Sequence, residues 1–138
     1  MRLWHYKLLP FLPKSQLLAQ WRELNSIFKN QPKHILINYI YEYSKYDLYI
    51  YANLVITEME NRGYRIKSIE NYKRYFGEED FVYIDDPFPD HHDDEYLAIC
   101  YFNLLEKYQR GQKDFSGEEM QALAEYCEPY IKRYMSDD

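Results

Sequence analysis

Glu23 is the single acidic residue among the first 41 of the sequence, and it directly follows a base, Arg22. The bases of this segment are Arg2, Lys7, Lys14, Arg22, Lys29 and Lys33. A carboxylate within such a phosphate-attracting surface weakens binding there, so something other than affinity is expected to retain it. Carboxylates beside sugars stabilise oxocarbenium-like charge and move protons at glycosidic bonds. Glu23 is therefore a candidate for that chemistry, and the simpler interpretation is a solvated ion pair.

A second group of polar residues, His91-His92-Asp93-Asp94, invites a metal interpretation. Metal ligands converge from one helix face or from separate elements, whereas four adjacent residues point in different directions. A polar first turn, with acids complementing the helix dipole, is favoured instead. The sequence contains no phosphate-binding loop, dinucleotide fingerprint or nucleophile elbow, so we expect neither a cofactor nor a metal.

Length and composition indicate one domain over residues 1–138, rich in aromatic residues, with 17 tyrosines. Cys100 and Cys127 lie among apolar neighbours without a C-x-x-C spacing, which favours buried free thiols over a bridge. Free thiols suit a cytoplasmic protein. The apolar stretch after Lys7 is short and broken by Pro10, so it does not predict an export signal, and we expect no membrane span.

The charges divide the chain into two unlike halves. Residues 1–76 carry 12 Lys and Arg against 6 Asp and Glu, whereas residues 77–138 carry 5 against 17. This asymmetry predicts a basic binding face on the first half and an acidic face on the second, which could solvate the protein or dock a protein partner. Chance clustering in a small protein is the alternative.

Hydrophobic periodicity and the positions of Pro and Gly predict an all-α chain of four to five helices. Pro10 and Pro13 exclude a continuous helix over Met1–Pro13, which we expect to be an irregular arm. The predicted helices run from Lys14–Gln16 to Asn30, from Ser44 to Gly63, over Ile66–Phe76, over His91–Tyr108 and from Ser116 to Met135. The predicted connections are an extended segment at 33–43 that could turn helical, an acidic loop at 77–89 and a turn at 111–117.

The first of these helices carries Glu23 away from its apolar stripe. The stripe consists of Leu17, Trp21, Leu24 and Phe28, widened by Leu18 and Ile27. On the far side fall Arg22, Glu23, Ser26, Lys29 and Asn30. This pattern predicts that Glu23 lies on the polar face of the helix, among bases.

The residues around Glu23 resemble a known family. The stretch is Gln16-Leu17-Leu18-Ala19-Gln20-Trp21-Arg22-Glu23-Leu24, followed by Phe28 and Lys33-His34. It is similar to the pyrimidine-dimer DNA glycosylases, or endonuclease V family, which are helical proteins of this length. Looser similarity continues through 59–64, the region of residues 91–92, and 104–107. The opening Met1-Arg2-Leu3-Trp4-His5 looks like that of bacterial members. The resemblance implies an endonuclease V-like fold.

The resemblance also implies DNA glycosylase and abasic-site lyase activity on double-stranded DNA with damaged or abasic sites. The nucleophile would be the α-amino group, which attacks C1′, expels the base and forms an imine before strand cleavage. Such amines have a pKa of about 7.7–8.0, which leaves a neutral fraction at pH 7. Glu23 would stabilise charge at C1′ and move protons, assisted by Arg22. The implied DNA-binding positions are Arg2, Lys14, Gln16, Lys33, His34 and Lys107.

The sequence departs from the family pattern at several positions. The phage prototype begins Met-Thr-Arg and uses the threonine amine, whereas here Arg2 follows Met1 directly, so the expected nucleophile is the amine of Met1 without a formyl group. Ser26 replaces a family arginine, Asn103 replaces another base, and an acidic helix replaces a basic, aromatic tail. These differences predict weaker DNA binding. A second hypothesis is a non-catalytic relative that binds nucleic acid or protein.

Overall fold

A computed structural model describes residues 1–78 and 86–136 of the chain. Within these ranges the protein has five α-helices, two short 3-10 helices and no strand, which confirms the predicted all-α class for this part. The α-helices are α1 (Lys14–Asn30), α2 (Lys45–Asn61), α3 (Ile69–Phe76), α4 (Asp94–Gln109) and α5 (Gly117–Ser136). The 3-10 helices are Tyr6–Phe11 and Asn38–Glu42. Residues 79–85 of the predicted acidic loop lie outside the described ranges.

The ends of the predicted helices follow from local sequence signals. α1 begins after Pro13 and ends before Gln31, which adopts a left-handed backbone conformation (φ 46°) and donates its N–H to the Ile27 carbonyl. The Ser44 hydroxyl accepts the N–H of Tyr46 and thereby caps α2. Gly63 follows α2 at φ +79°, a conformation that favours glycine. The predicted limits of α1 and α2 are confirmed.

The expectation of an irregular arm over Met1–Pro13 is wrong. Tyr6–Phe11 forms a 3-10 helix that contains Pro10, and the His5 Nδ1 atom accepts the Lys7 N–H at its start. Leu3, Trp4, Leu8, Leu9 and Leu12 are all buried. Pro10 lacks only its own N–H, so a single 3-10 segment tolerates it, and the leucines stabilise the segment by burial.

Two other helices also begin later than predicted, since α3 begins at Ile69 and not at Ile66. α4 begins at Asp94, three residues after His91, because the Asp93 carboxylate accepts the N–H of Tyr96 and caps the helix there. His91 and His92 belong to the preceding turn, in which both donate their N–H groups to the Phe88 carbonyl. The predicted connection at 33–43 contains a turn and then the 3-10 helix Asn38–Glu42.

The helices enclose one continuous group of buried side chains. α1 contacts α2 and α3, α4 packs along α5, and the N-terminal 3-10 helix contacts α2 and α5. The predicted α1 stripe is confirmed, since Leu17, Trp21, Leu24, Ile27 and Phe28 are buried and Leu18 is half-buried. Cys100 and Cys127 are buried free thiols, as predicted. In the described ranges, every helix is too short or too polar to span a membrane.

Candidate active site

Glu23 is half-buried, and its carboxylate faces the N-terminal segment, residues 2–4. Its Oε2 atom accepts the backbone N–H of Arg2 at 3.4 Å and the Nε2 amide of Gln20 at 3.1 Å. Position 23 flanks the apolar stripe of α1, on the side where residues 2–4 run across the helix. The expected position on the polar face is therefore only partly right, since one edge of that face is covered.

Gln20, one turn before Glu23, holds the N-terminal segment against α1. Its Nε2 amide donates to the Arg2 carbonyl at 3.0 Å as well as to Glu23, and its Oε1 atom accepts the Trp4 N–H at 2.8 Å. The side chain is 1% exposed, so water does not substitute for these partners. A single buried amide thus pairs with the backbone on both sides of Leu3.

Two tyrosines from other helices complete the hydrogen bonding of this segment. The Tyr96 hydroxyl of α4 donates to the Leu3 carbonyl at 2.5 Å. The Tyr51 hydroxyl of α2 lies 2.6 Å from the Trp4 carbonyl and 2.9 Å from Gln20 Oε1. The carbonyls of residues 2, 3 and 4 therefore all have side-chain partners, drawn from three helices. We call Glu23, Gln20, Tyr51 and Tyr96 the N-terminal clamp.

The N-terminal clamp determines where the Met1 amine lies. Three covalent bonds separate the Met1 nitrogen from the Arg2 nitrogen, so these two atoms are at most about 3.7 Å apart. Because the Arg2 nitrogen is 3.4 Å from Glu23 Oε2, the amine lies within about 7 Å of the carboxylate. Met1 itself is 38% exposed. The first residue therefore reaches solvent, and its amine lies near the carboxylate.

Opposing effects set the ionisation of Glu23. Burial raises the pKa of its carboxyl above the ordinary value, and this effect is the largest. The Arg2 amide, the N-terminal ammonium charge, the Gln20 amide and the Arg22 charge all lower that pKa. The carboxylate is thus partly desolvated and yet stabilised by a nearby cationic amine, which favours proton exchange between the two groups.

Arg22, the residue before Glu23 on α1, lines a basic groove. The groove has a volume of about 770 Å³ and lies between α1 and the segment that joins α2 to α3. Its basic lining residues are Lys14, Arg22, Lys29, Arg65 and Lys67. None of the described lining residues is acidic. The buried Trp21 forms its floor and donates its indole N–H to the Lys67 carbonyl at 2.7 Å.

The remaining predicted DNA-binding residues fall in three places. The Arg2 guanidinium lies 5.8 Å from the centre of the ring of Tyr96, a member of the N-terminal clamp. Lys33 lies over the Tyr41 ring at 4.7 Å, and His34 occupies the adjoining turn. Gln16 and Lys107 both contact Gln112, through a 3.3 Å side-chain bond and a 3.1 Å backbone bond respectively.

Sequence reasoning missed Gln20, Tyr51, Tyr96, Arg65 and Lys67. A signal existed for Gln20, since this polar residue falls on the apolar side of α1, between Leu17 and Leu24. The other residues come from distant parts of the chain, and their contribution depends on how the helices pack.

The histidine pair His91-His92 serves the packing of the α4 N-terminus. His92 Nε2 lies 2.6 Å from the Tyr39 hydroxyl, and His91 Nδ1 lies 2.7 Å from the Tyr43 hydroxyl. Over residues 1–78 and 86–136, no cluster of metal-ligating side chains is present. The polar-turn interpretation fits this arrangement, in which Asp93 caps α4 and Asp94 and Glu95 occupy its first turn.

Comparison with known proteins places the N-terminal half in a family. A family model described as pyrimidine dimer DNA glycosylase matches residues 1–70, just over half of the chain. The match includes Met1, Glu23 and all the basic residues of the groove. No curated protein and no solved structure matches the chain. The resemblance predicted from the residues around Glu23 is confirmed, and the chain belongs to the pyrimidine dimer DNA glycosylase family.

Proposed function

We propose that this protein is a DNA repair glycosylase with abasic-site lyase activity, whose nucleophile is the α-amino group of Met1. Membership of the family supports DNA glycosylase function in general. The observation that carries the finer proposal is the hydrogen bond between Glu23 and the Arg2 backbone, which keeps the first residue beside a half-buried carboxylate. The substrate is double-stranded DNA that carries a damaged or abasic nucleotide.

The first step joins the protein to the sugar. The neutral amine attacks C1′, the bond between C1′ and the base breaks, and the base leaves with the bonding electrons and takes up a proton. The negative charge of Glu23 stabilises the positive charge that develops at C1′. As the amine gains its bond to carbon it loses a proton, which Glu23 accepts directly or through water.

The second step breaks the strand. Opening of the bond between C1′ and the ring oxygen gives an imine, which makes the C2′ proton acidic. A base removes that proton, the bond between C3′ and its oxygen breaks, and the phosphate leaves with the electrons. Hydrolysis of the imine then restores the amine. Glu23 is suited to carry these protons because it lies beside the first residue and burial raises its pKa above the ordinary value.

The basic groove supplies affinity for the DNA backbone. Its lining brings together five cations without a described carboxylate. Arg22 lies in the groove and one residue from Glu23, so it links the binding surface to the reactive pair. Phosphate contacts of this kind position the duplex and make binding depend on salt. Lys107 lies outside residues 1–70, which the family model covers, and its role in DNA binding is part of the proposal.

Replacement of Glu23 by Gln tests the proposal. Glutamine keeps an oxygen that can accept the Arg2 N–H, but it carries no charge and cannot act as a general acid or base near neutral pH. We expect turnover on abasic-site DNA to fall by about 10²–10⁴-fold, the range for losing a general acid–base group. DNA binding should stay equal or become tighter, because a negative charge is lost from a basic surface.

Glu60→Gln is the matched control, since Glu60 is an exposed carboxylate on α2. This variant should turn over abasic-site DNA like the wild type. Unchanged turnover in Glu23→Gln would remove Glu23 from the mechanism. A wild-type protein that binds damaged DNA but never cleaves it would favour the non-catalytic binding module.

A further inference from the structure

Two large apolar side chains project into solvent from the turn that follows α1. Ile35 is 86% exposed and Leu36 is 40% exposed, whereas the next residue, Ile37, is completely buried. Solvation of an isoleucine side chain is unfavourable, so most aliphatic residues of this size are found in cores. We call Ile35 and Leu36 the apolar tip.

The apolar tip is held by a hydrogen-bonded turn. The Leu36 N–H donates to Nδ1 of His34 at 3.1 Å, and the N–H groups of Ile37 and Asn38 donate to the His34 carbonyl at 2.9 and 2.8 Å. The His34 N–H in turn donates to Asn38 Oδ1 at 2.8 Å. These bonds fix the backbone on both sides of the tip, so the two side chains are presented in a defined position.

The apolar tip lies between two segments that lead to the Glu23 site, the end of α1 and the 3-10 helix Asn38–Glu42. Asn30 follows Glu23 by seven residues, which is two helical turns, so both lie on the same face of α1 about 10 Å apart. Ile35 follows Asn30 by five residues. Beyond the tip, the Tyr39 hydroxyl lies 2.6 Å from His92 Nε2, and the His92 ring lies 5.0 Å from the ring of Tyr96, a member of the N-terminal clamp. Ile35 is four residues from Tyr39, at most about 14 Å.

We propose that the apolar tip inserts into the base stack of DNA bound at the Glu23 site and unstacks the duplex beside the lesion. This inference rests on the proposed function. Apolar wedges of Ile, Leu, Phe or Met open base steps in several DNA-bending proteins. Access to C1′ inside a duplex is easier when the stack around the lesion is open, and a pre-ordered wedge lowers the free energy needed for that opening.

The charges around the apolar tip match nucleic acid. Lys33 lies two residues before Ile35, and Lys29 lies on the last turn of α1. The acidic residues nearest to it in sequence are Glu23 and Glu42. Cations beside an apolar wedge can bind the phosphates that flank the opened step. Two side chains are also too small a surface for a stable protein interface, which buries about 1,200 Å² or more.

A double variant, Ile35→Ser with Leu36→Ser, tests the wedge. The probe is a duplex with a tetrahydrofuran abasic analogue next to 2-aminopurine, whose fluorescence increases when it is unstacked. Wild-type protein should raise the fluorescence, and the variant should not. The variant should also form the borohydride adduct with true abasic-site DNA at least about tenfold more slowly, because it loses the burial of an aliphatic side chain.

The control is Leu54→Ser with Met135→Ser, which removes two exposed apolar residues of α2 and α5. It should behave like the wild type in both assays, and both variants should melt like the wild type since the replaced side chains are exposed. A tip variant that unstacks DNA like this control would overturn the wedge while the proposed function stands. The same holds if the tip variant changes only self-association.

Failure of the proposed function gives a different result. In that case the wild-type protein forms no adduct with abasic-site DNA, and the wedge falls with it.

Discussion

Replacement of Gln20 by Leu is expected to separate the stability of the N-terminal clamp from its effect on chemistry. Leucine has a similar size but offers no hydrogen bond. The buried Trp4 N–H then loses its acceptor at 2.8 Å, while the Tyr51 hydroxyl retains the Trp4 carbonyl at 2.6 Å. The Arg2 carbonyl and Glu23 are half-buried and can bind water instead.

The loss of free energy of unfolding therefore comes mainly from one buried donor, and it amounts to about 1–3 kcal/mol. In a domain of this size that corresponds to a fall in melting temperature of roughly 3–10 °C. Urea denaturation and thermal melting both measure it. Gln121→Leu is the control, because Gln121 is exposed and its side chain bonds to Glu125 on the same helix. It should change stability by less than about 0.5 kcal/mol.

The same variant should slow adduct formation by about 10–100-fold under conditions where it is folded, because the amine is no longer held in place. In a plot of the adduct-formation rate against pH, the fall on the acidic side should also move to higher pH. The Gln20 amide lowers the pKa of Glu23, so its removal raises that pKa further. A variant that is less stable but traps DNA with the wild-type rate and pH profile would refute the positioning role of Gln20.

Three further predictions follow from burial and charge. Glu23→Gln should raise the free energy of unfolding near pH 7, because burial disfavours the ionised carboxylate in the folded state. The gain should vanish at low pH, where Glu23 is neutral in the folded and the unfolded protein. Urea denaturation at several pH values measures the gain. Its absence at pH 7 would contradict the effect of burial on the carboxylate. Burial lowers the pKa of His5 from 6.5 to about 4, so stability should fall as pH drops through that window. His5→Asn still accepts the Lys7 N–H and should flatten the fall, and equal slopes would contradict it. The double variant Arg65→Gln with Lys67→Gln should make the slope of log K for DNA binding against log salt concentration less steep by about 0.9 per lost phosphate contact. Lys132→Gln is the control and should leave that slope unchanged. An unchanged slope in the double variant would remove the groove from the interface.

Features that depend on local sequence were predictable. The limits of α1 follow from Pro13 and from the Asn30-Gln31-Pro32 stop, and those of α2 follow from Ser44 and Gly63. The free thiols followed from their apolar neighbours. The start of α4 was misplaced because Asp93 is a stronger cap than the histidines before it.

Features that depend on distant contacts were not predictable. The N-terminal clamp joins Leu3 to Tyr96 and Trp4 to Tyr51, pairs separated by 93 and 47 positions. Periodicity along a single helix cannot indicate which tyrosine reaches which carbonyl. The basic groove likewise needs α1 beside residues 64–71, so Arg65 and Lys67 were not identified as partners of Lys14 and Arg22. Glu23 was identified by its charge, but its burial came from the chain that crosses it.

Borohydride trapping followed by mass mapping of the cross-linked peptide identifies the nucleophile. The full chain is incubated with abasic-site duplex DNA, the imine is reduced to a stable amine, and the cross-linked peptide is identified. If the α-amino group of Met1 is the nucleophile, the adduct forms at that group and is lost when the amine is acetylated beforehand. An adduct on a lysine side chain, an adduct that survives acetylation, or no adduct with active DNA-binding protein would contradict this assignment of the nucleophile.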